Sequence, residues 1–358
     1  MGNNFGTVYD LAIDGNHAYY FEHDKSKSSV FLPDTRMMKF DGETISIFSE
    51  DLFMFPSELH VRGDFLYFVI LSNSCEGSTT CDFQNIIKMS KNDGTFEIIT
   101  SDFKSAVRLS LGNDALYASE SSGNIWKINY ENYSKEQFLT SENIILDIST
   151  NEENVFWIEE VEDLNNQIMK MPKTGSSPSV VKEDLQIAYD LTSIDDSVFW
   201  NNIRIQSKSD GVGDFNYVMK YDGEHTHTLF ESLNTSILTQ SQDASHYSAF
   251  LFAGDYIIMV NNTKTNPQPI IQMKHFTNDV SFDVATVSDS TPLYMKAEST
   301  SLYVIGHTQE GFSINHYLLP VSVPEFGFNA LMLVSIPLLM MLFLVKFLPS
   351  ARLDIINN

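Results

Sequence analysis

Residues 155–181 hold three short apolar segments in a fixed order: Val155-Phe156-Trp157, then Ile168-Met169-Lys170-Met171 with Thr174-Gly175 behind it, then Ser179-Val180-Val181. The first and third segments favour strands, because β-branched and aromatic side chains suit a pleated, half-buried surface. A Thr-Gly pair after the second segment is typical of a tight hairpin turn. The order therefore predicts an aromatic strand, a lysine-bearing strand, a turn and an outer strand.

The aromatic segment recurs along the whole chain. Its other copies are Ala18-Tyr19-Tyr20, Leu66-Tyr67-Phe68, Leu116-Tyr117-Ala118, Val198-Phe199-Trp200, Tyr256-Ile257-Ile258 and Leu302-Tyr303-Val304. The central residues of the seven copies are 48, 50, 39, 43, 58 and 46 positions apart. A period in the forties is typical of propeller blades. We therefore predict an all-β fold in which residues 1–319 form a single β-propeller of seven four-stranded blades.

The lysine segment also recurs, as Met37-Met38-Lys39-Phe40, Ile86-Ile87-Lys88-Met89, Ile125-Trp126-Lys127-Ile128 and Val218-Met219-Lys220-Tyr221. This order of elements resembles prokaryotic propellers of the YWTD type over about 310 residues. The resemblance implies that the aromatic residues and lysines of the repeats pack in strands. It implies no activity, because that family contains both binding domains and enzymes. The seventh repeat ends at Leu318 and lacks an outer strand.

The segment 328–348 is apolar over the length that a transmembrane helix needs. Lys346, its single charged residue, lies near one end, where it can reach the headgroups. Lys346 and Arg352 on the C-terminal side predict that the tail 349–358 is cytoplasmic and that the propeller lies outside. The alternative is a buried core helix. We expect a single-pass protein of the cell membrane, whose helix contacts the bilayer.

The linker 320–327 contains Pro324-Glu325-Phe326-Gly327 directly before the apolar run. Motif, helix and short tail together resemble the PEFG-CTERM sorting signal of archaeal surface proteins. The resemblance implies a further partner, a membrane sorting enzyme that cleaves the tail and transfers the protein to a surface anchor.

The chain carries 22 Lys and Arg against 47 Asp and Glu, a formal charge of −25. This charge argues against nucleic acid as a partner and favours either cationic ligands or simply a well-solvated surface. Cys75 and Cys81 lie among small polar residues, which predicts a loop closed by a disulfide; two free thiols and a metal site are the alternatives. Asn132, Asn234 and Asn261 begin glycosylation sequons, which matter only outside the cell.

No linear motif identifies a catalytic, cofactor-binding or metal-binding residue. Glu224-His225-Thr226-His227 places two histidines on one side of a strand, but a surface pair explains it as well. Asp210-Gly211-Val212-Gly213-Asp214 has too few spaced carboxylates for a known calcium loop. We assign no cofactor.

Two functions remain, and the sequence favours the first. One is a surface module without catalysis that binds a protein or glycan. The alternative is an extracellular hydrolase or lyase whose site, in the central channel, is built from several blades. A ring of carboxylates and histidines with shifted pKa values at the channel mouth would favour an enzyme or a metal site.

The first residues, Met1 to Thr7, have neither the basic region nor the apolar core of a secretory signal. An external propeller needs one, and a three-stranded last repeat needs a closing strand. We therefore predict that Met1 is not the native start and that upstream residues supply both. The alternative is a tail-anchored protein with a cytoplasmic domain.

Overall fold

The structure is a computed structural model, and it describes residues 8–23, 35–53, 55–71, 84–162, 165–208, 211–234, 250–253, 256–261, 270–275, 281–286, 291–298, 301–308 and 311–319. The regular elements in these residues are all β-strands. Cys75, Cys81, the motif Pro324 to Gly327 and the segment 328–348 lie outside the described residues. No helix among the described residues is long and apolar enough to cross a bilayer.

The strands form seven antiparallel sheets, which we number as blades in chain order. Blade 1 contains β1 (Val8–Asp14), β2 (His17–His23), β3 (Thr35–Phe40) and β4 (Ile45–Phe53). Blade 2 contains β5 (Ser57–Arg62), β6 (Phe65–Leu71), β7 (Gln84–Ser90) and β8 (Phe96–Phe103). Blade 3 contains β9 (Val107–Leu111), β10 (Ala115–Glu120), β11 (Asn124–Asn129) and β12 (Lys135–Thr140). Blade 4 contains β13 (Ile144–Thr150), β14 (Asn154–Glu162), β15 (Asn165–Pro172) and β16 (Ser179–Leu185).

The remaining blades follow the same order. Blade 5 contains β17 (Ile187–Ile194), β18 (Ser197–Lys208), β19 (Gly211–Tyr221) and β20 (Thr226–Asn234). Blade 6 contains β21 (Phe250–Ala253), β22 (Tyr256–Asn261), β23 (Ile270–His275) and β24 (Ser281–Thr286). Blade 7 contains β25 (Thr291–Glu298), β26 (Ser301–Thr308) and β27 (Gly311–Leu318).

This topology confirms the β-propeller. Each aromatic triplet lies in the second strand of a sheet, and each lysine segment lies in the third. Six sheets have four strands, whereas the sheet of blade 7 has three, all of them described. The prediction of seven four-stranded blades therefore holds for six of them. The last described strand of the seventh ends at Leu318, where the apolar–polar alternation of the last repeat also ends.

The hydrophobic core lies between neighbouring blades, because each strand directs alternate side chains to opposite faces of its sheet. Phe21 of blade 1 and Phe68 of blade 2 are both fully buried, and their ring centroids are 5.1 Å apart in an edge-to-face contact. Tyr303 of blade 7 packs in one cluster with Leu11 and Tyr20 of blade 1. The last blade thus packs against the first, which closes the ring.

Candidate functional site

A charged residue lies at the same position in the first strand of each of the first five blades. These residues, which we call the axial ring, are Asp10, Glu58, Arg108, Asp147 and Asp190. All five are partly exposed, whereas the aliphatic residue that follows each of them is buried. The first strands of neighbouring blades contact one another around the axis, β1 with β5, β5 with β9, β9 with β13 and β13 with β17. The ring therefore lines the centre of the propeller.

Irregular backbone places these side chains. The pairing of the first and second strands shifts register at or beside Asp10, Glu58, Asp147 and Asp190. Asp10, Glu58 and Asp190 have φ values of 52°, 58° and 53°, a region that residues other than glycine rarely adopt. A bulge turns a side chain out of the normal alternation of a strand. Here it directs a charged group towards the axis while the next residue still faces the core.

The carboxylates of the ring connect one blade to the next. Asp10 Oδ2 accepts the backbone N–H of Leu59 at 2.6 Å, and Glu58 Oε2 accepts that of Leu109 at 3.0 Å. Asp147 Oδ2 accepts the N–H of Leu191 at 2.7 Å. In each case a carboxylate binds an amide of the following blade. Such bonds fix the carboxylates in position and satisfy the amide that directly follows the ring residue of another blade.

Arg108 is the one cation of the ring. Its Nη1 donates to Glu58 Oε1 at 2.8 Å. The negative charge of Glu58 is the main reason that the pKa of Arg108 is raised, and Asp147 and Asp190 add to the effect. Asp190 belongs to blade 5 and Arg108 to blade 3. Their charges therefore interact past the intervening blade, which shows that the ring is one electrostatic unit.

The pKa values of two ring carboxylates move in opposite directions. Burial would raise the pKa of Glu58, but the imidazole of His60, whose Nε2 lies 3.9 Å from Glu58 Oε2, and the charge of Arg108 outweigh it and lower this pKa to about 2. Burial dominates at Asp147 and raises its pKa to about 6, although Arg108 and the N–H of Leu191 act against it. At neutral pH Glu58 is a fixed anion, whereas Asp147 can gain and lose a proton.

Hydroxyl groups bridge the first strands a short way along from the ring. Ser110 Oγ lies 3.0 Å from Thr150 Oγ1, and Ser149 Oγ lies 2.9 Å from Ser193 Oγ. These pairs join blade 3 to blade 4 and blade 4 to blade 5. The first strands of blades 3, 4 and 5 therefore carry polar side chains close to the ring residues.

Not every buried carboxylate near the ring is available for chemistry. Glu159 of β14 is buried, and its two oxygens accept four hydrogen bonds from side chains. The donors are Trp157, Gln167, Asn143 and Ser141, at 2.6 to 3.0 Å. These donors lower the pKa of Glu159 despite its burial. We interpret Glu159 as a structural group, because its oxygens are already occupied.

The residues singled out from the sequence lie away from the axial ring or outside the described residues. Asn132 is exposed in the turn between β11 and β12, and Asn234 and Asn261 are the last residues of β20 and β22. The exposed His227 binds Asp222, with Nε2 2.8 Å from Oδ2. Gly211 to Asp214 begin β19. No group of three or more His, Cys, Asp or Glu side chains in the described part of the chain could hold a metal ion.

Motif reasoning missed the axial ring, although the sequence does carry a signal for it. Each ring residue lies nine positions before the central residue of an aromatic triplet, as Asp10 does before Tyr19 and Asp147 before Phe156. The equivalent residue of blade 7 is Tyr294. One charged residue in a repeat is usually interpreted as a solvent-exposed surface residue. Only alignment of the repeats shows that five charges share one position.

The fold is similar to that of solved enzymes. The chain matches a puromycin-hydrolysing peptidase of Mycobacterium tuberculosis with a TM-score of 0.61 and 10% identity, over 87% of this chain and 51% of that one. It matches a prolyl endopeptidase with a TM-score of 0.55 and 8% identity, over 89% of this chain and 51% of that one. The chain thus spans about half the length of these peptidases.

A third match is to a protein of similar size. An oligogalacturonate lyase in complex with manganese aligns with a TM-score of 0.60 and 8% identity, over 87% of this chain and 88% of that one. No protein-family model matches the sequence, and no curated protein matches it either. At such low identity the likeness establishes the fold alone: the chain is a β-propeller.

Proposed function

We propose that this propeller is a hydrolase or lyase whose site is the axial ring. The observation that carries the proposal is the pair Glu58 and Asp147, whose pKa values of about 2 and about 6 are displaced in opposite directions on either side of Arg108. Carboxylates with separated pKa values are the usual signature of acid–base chemistry. The neighbouring structures support this function over a non-catalytic surface module.

In this proposal Asp147 acts as the general base. A pKa of about 6 leaves it mostly ionised at neutral pH and still basic enough to remove a proton from an attacking water molecule. The protonated Asp147 then gives this proton to the leaving group as its bond breaks, which returns Asp147 to the ionised form. Glu58 stays ionised and stabilises positive charge that develops in the transition state. Arg108 holds Glu58 in place and lowers the pKa of both carboxylates, although burial dominates at Asp147.

Hydrolysis suits the ring better than elimination from a uronate. The ring contains four carboxyl groups and one guanidinium, which is already bound to Glu58. Such a site repels a polyanionic substrate and accepts a neutral or cationic one. The lyase among the similar structures is matched over most of its length, so a propeller of this size can make up most of an enzyme.

The experiment is a panel of chromogenic glycosides and peptide amides assayed from about pH 4 to about pH 9, which brackets the ordinary and raised carboxyl pKa values. We expect kcat/KM for the active substrate to rise with pH through about 6, as Asp147 ionises. Asp147→Asn should lower kcat at least about 100-fold, because general base catalysis contributes that much. Asp195→Asn, in the exposed turn after β17, is the matched control and should keep full activity. Turnover that survives Asp147→Asn, or no turnover across the panel, would overturn the proposal.

We also propose that the protein is held at the outer face of a membrane by residues 328–348, and that a strand from elsewhere completes blade 7. The apolar run, its flanking charges and the motif Pro324 to Gly327 support the anchor. Cell fractionation tests it: full-length chain should sediment with membranes, and a chain ending at Leu319 should not.

A further inference from the structure

The sequon Asn132-Tyr133-Ser134 lies in the turn between β11 and β12, the two outer strands of blade 3. Asn132 and Ser134 are exposed, whereas Tyr133 between them is partly buried. An asparagine that receives a glycan must lie at the surface, because the glycan is bulky and hydrated. The turn therefore presents the two residues that define the sequon to solvent.

Hydrogen bonds fix the shape of this turn. Asn129 Oδ1 accepts the backbone N–H of Glu131 at 2.7 Å, and the N–H of Tyr133 donates to the carbonyl oxygen of Asn129 at 3.0 Å. The N–H of Asn129 in turn donates to the carbonyl oxygen of Ser134 at 3.1 Å, which closes the base of the turn. Tyr133 has a φ of 56°, a region that residues other than glycine rarely adopt. The sequon is therefore held in one turn conformation between the strands.

The side chain of Tyr133 anchors the turn to blade 2. Its hydroxyl accepts a hydrogen bond from Lys88 Nζ at 2.6 Å and donates one to Glu97 Oε1 at 2.7 Å. Lys88 lies in β7 and Glu97 in β8. The middle residue of the sequon is thus bound to the neighbouring blade, and the residues on either side of it remain exposed.

The amide group of Asn132 is also oriented. Its Oδ1 accepts the backbone N–H of Ser134, two residues further on, at 3.0 Å, which forms an Asx turn. Oδ1 and Nδ2 are opposite ends of one planar amide, so this bond engages the oxygen and leaves the nitrogen out of it. A hydrogen bond to Oδ1 also polarises the amide and makes the protons on Nδ2 easier to remove. Nδ2 is the atom that would bear an N-linked glycan.

We propose that Asn132 is N-glycosylated, an inference that rests on the outward-facing location proposed above. Asn132 Nδ2 forms a bond to the anomeric carbon of the donor, a lipid-linked oligosaccharide diphosphate. The bond between that carbon and the phosphate oxygen breaks, and the diphosphate leaves with the electron pair. One Nδ2 proton passes to a base of the transferring enzyme. Asn234 and Asn261 suit the reaction less well, because each still pairs with a neighbouring strand.

A glycan at Asn132 would leave the axial ring accessible. The hydroxyl of Tyr130 donates to the carbonyl oxygen of Gly112 at 3.0 Å, so the turn after β11 lies at the same end of blade 3 as the turn after β9. Arg108 lies near the opposite end of β9. The glycan and the proposed catalytic site therefore occupy different ends of the blade.

Mass spectrometry of full-length protein purified from the membranes of its native cells tests the proposal. Trypsin cleaves after Lys127 and Lys135, and the peptide 128–135 contains Asn132 in its only sequon. We expect electron-transfer fragmentation to place a glycan on Asn132. Asn132→Gln and Ser134→Ala should each abolish the modification, and Ser134→Thr should retain it. Ser134→Ala keeps the backbone N–H that binds Asn132 Oδ1, so it removes the hydroxyl without removing the bond that shapes the turn.

A peptide found only in its unmodified form, a glycan that persists in Ser134→Ala, or a glycan on another residue of the peptide would overturn the proposal. Labelling of intact cells with a membrane-impermeant amine reagent separates this failure from that of the proposed location. Labelled protein without a glycan on Asn132 would refute the glycan alone, and protein that is neither labelled nor glycosylated would refute both. A glycan on Asn132 without labelling would refute only the location at the cell surface.

Discussion

Glu58 shows how one residue of the axial ring contributes to the stability of the fold. It accepts hydrogen bonds from Arg108 and from the amide of Leu109, and its side chain is only 15% exposed. A carboxylate that is bound in the native state and free in the unfolded chain stabilises the fold only while it is ionised. The pKa of Glu58 is about 2 in the folded protein, below its ordinary value of 4.5.

The lowered pKa of Glu58 predicts how its contribution to stability changes with pH. The stabilisation by Glu58 is fully present above about pH 4.5 and is lost as the pH falls towards about 2. Glu58→Gln should therefore lower the free energy of unfolding by about 2 kcal/mol at neutral pH, the value of a hydrogen bond to a charged group. The difference from the wild type should shrink near pH 3. Urea denaturation at the two pH values measures it.

The control for Glu58→Gln is Glu224→Gln. Glu224 is 85% exposed and lies 3.9 Å from His225, so its replacement should change stability by less than about 0.5 kcal/mol. An equal effect of the two substitutions, or a difference that grows at low pH, would contradict the role of Glu58.

For individual residues, the sequence predicts burial but not the shifts in pKa. Burial of Trp157 or Tyr303 follows from the apolar pattern, because hydrophobic periodicity directly reflects which side of a strand faces the core. The shifted pKa of Asp147 does not follow from it. That shift depends on burial and on charges that reach Asp147 from Arg108 and Glu58 in other blades, which no local pattern encodes.

The conformation of the turn between β10 and β11 requires a glycine at its last residue, Gly123. Gly123 has φ +97°, and a Cβ there would collide with the carbonyl oxygen of Ser141 and lie 2.9 Å from that of Asn143. These carbonyls belong to the connection from blade 3 to blade 4. The hydrogen bond from Ser141 N to Gly123 O, at 2.7 Å, holds the turn against that connection.

We expect Gly123→Ala to destabilise the protein by about 3 kcal/mol or more, because strain at positive φ and a clash with backbone add together. Gly175→Ala is the matched control: φ is +79°, but the space around a Cβ there is open. It should cost only about 1 kcal/mol, from the backbone strain alone. Thermal and urea denaturation of both variants measure the two losses of stability, and their difference gives the contribution of the clash with Ser141. Similar losses in both would show that the contact with Ser141 is unimportant.

The elements themselves could be predicted well. The order of the strands within a blade can be predicted from the aromatic and lysine segments. The aromatic segment forms the second strand of the sheet, and the lysine segment forms the third. The bulges in the first strands could not be predicted in the same way. They arise where the first strands of the blades converge on one axis, and the residues beside them, such as Asp10 and Glu58, would suit a turn equally well.

The whole molecule carries a formal charge of −25, and its acidic residues are spread along the sequence and are not concentrated in one segment. Carboxylates spread over a closed ring repel one another in the folded state and move apart on unfolding. Raising NaCl from about 0.01 M to about 0.5 M shortens the screening length from about 30 Å to below 5 Å. We therefore expect the Tm to rise by several degrees over this range.

Differential scanning calorimetry measures the effect, and KCl at the same concentrations is the control. Screening depends on ionic strength and not on which monovalent cation supplies it, so the two salts should agree. A Tm that falls with salt would mean that internal ion pairs such as Arg108–Glu58 outweigh the general repulsion.

Three carboxylates of the axial ring, those of Asp10, Glu58 and Asp147, bind forwards, from one blade to an amide of the next. A ribosome delivers the blades in that same order. The amide of Leu59 therefore emerges when Asp10 has already been made, and that of Leu109 emerges when Glu58 has. Blades 2, 3 and 5 thus each find a hydrogen-bond acceptor on a blade that has already been synthesised, so these blades can dock in order during synthesis. Blade 4 differs, because its predecessor contributes Arg108, which offers no acceptor. Blades 3 and 4 are joined instead by a shared hydrophobic cluster and by contacts such as the hydroxyl pair of Ser110 and Thr150.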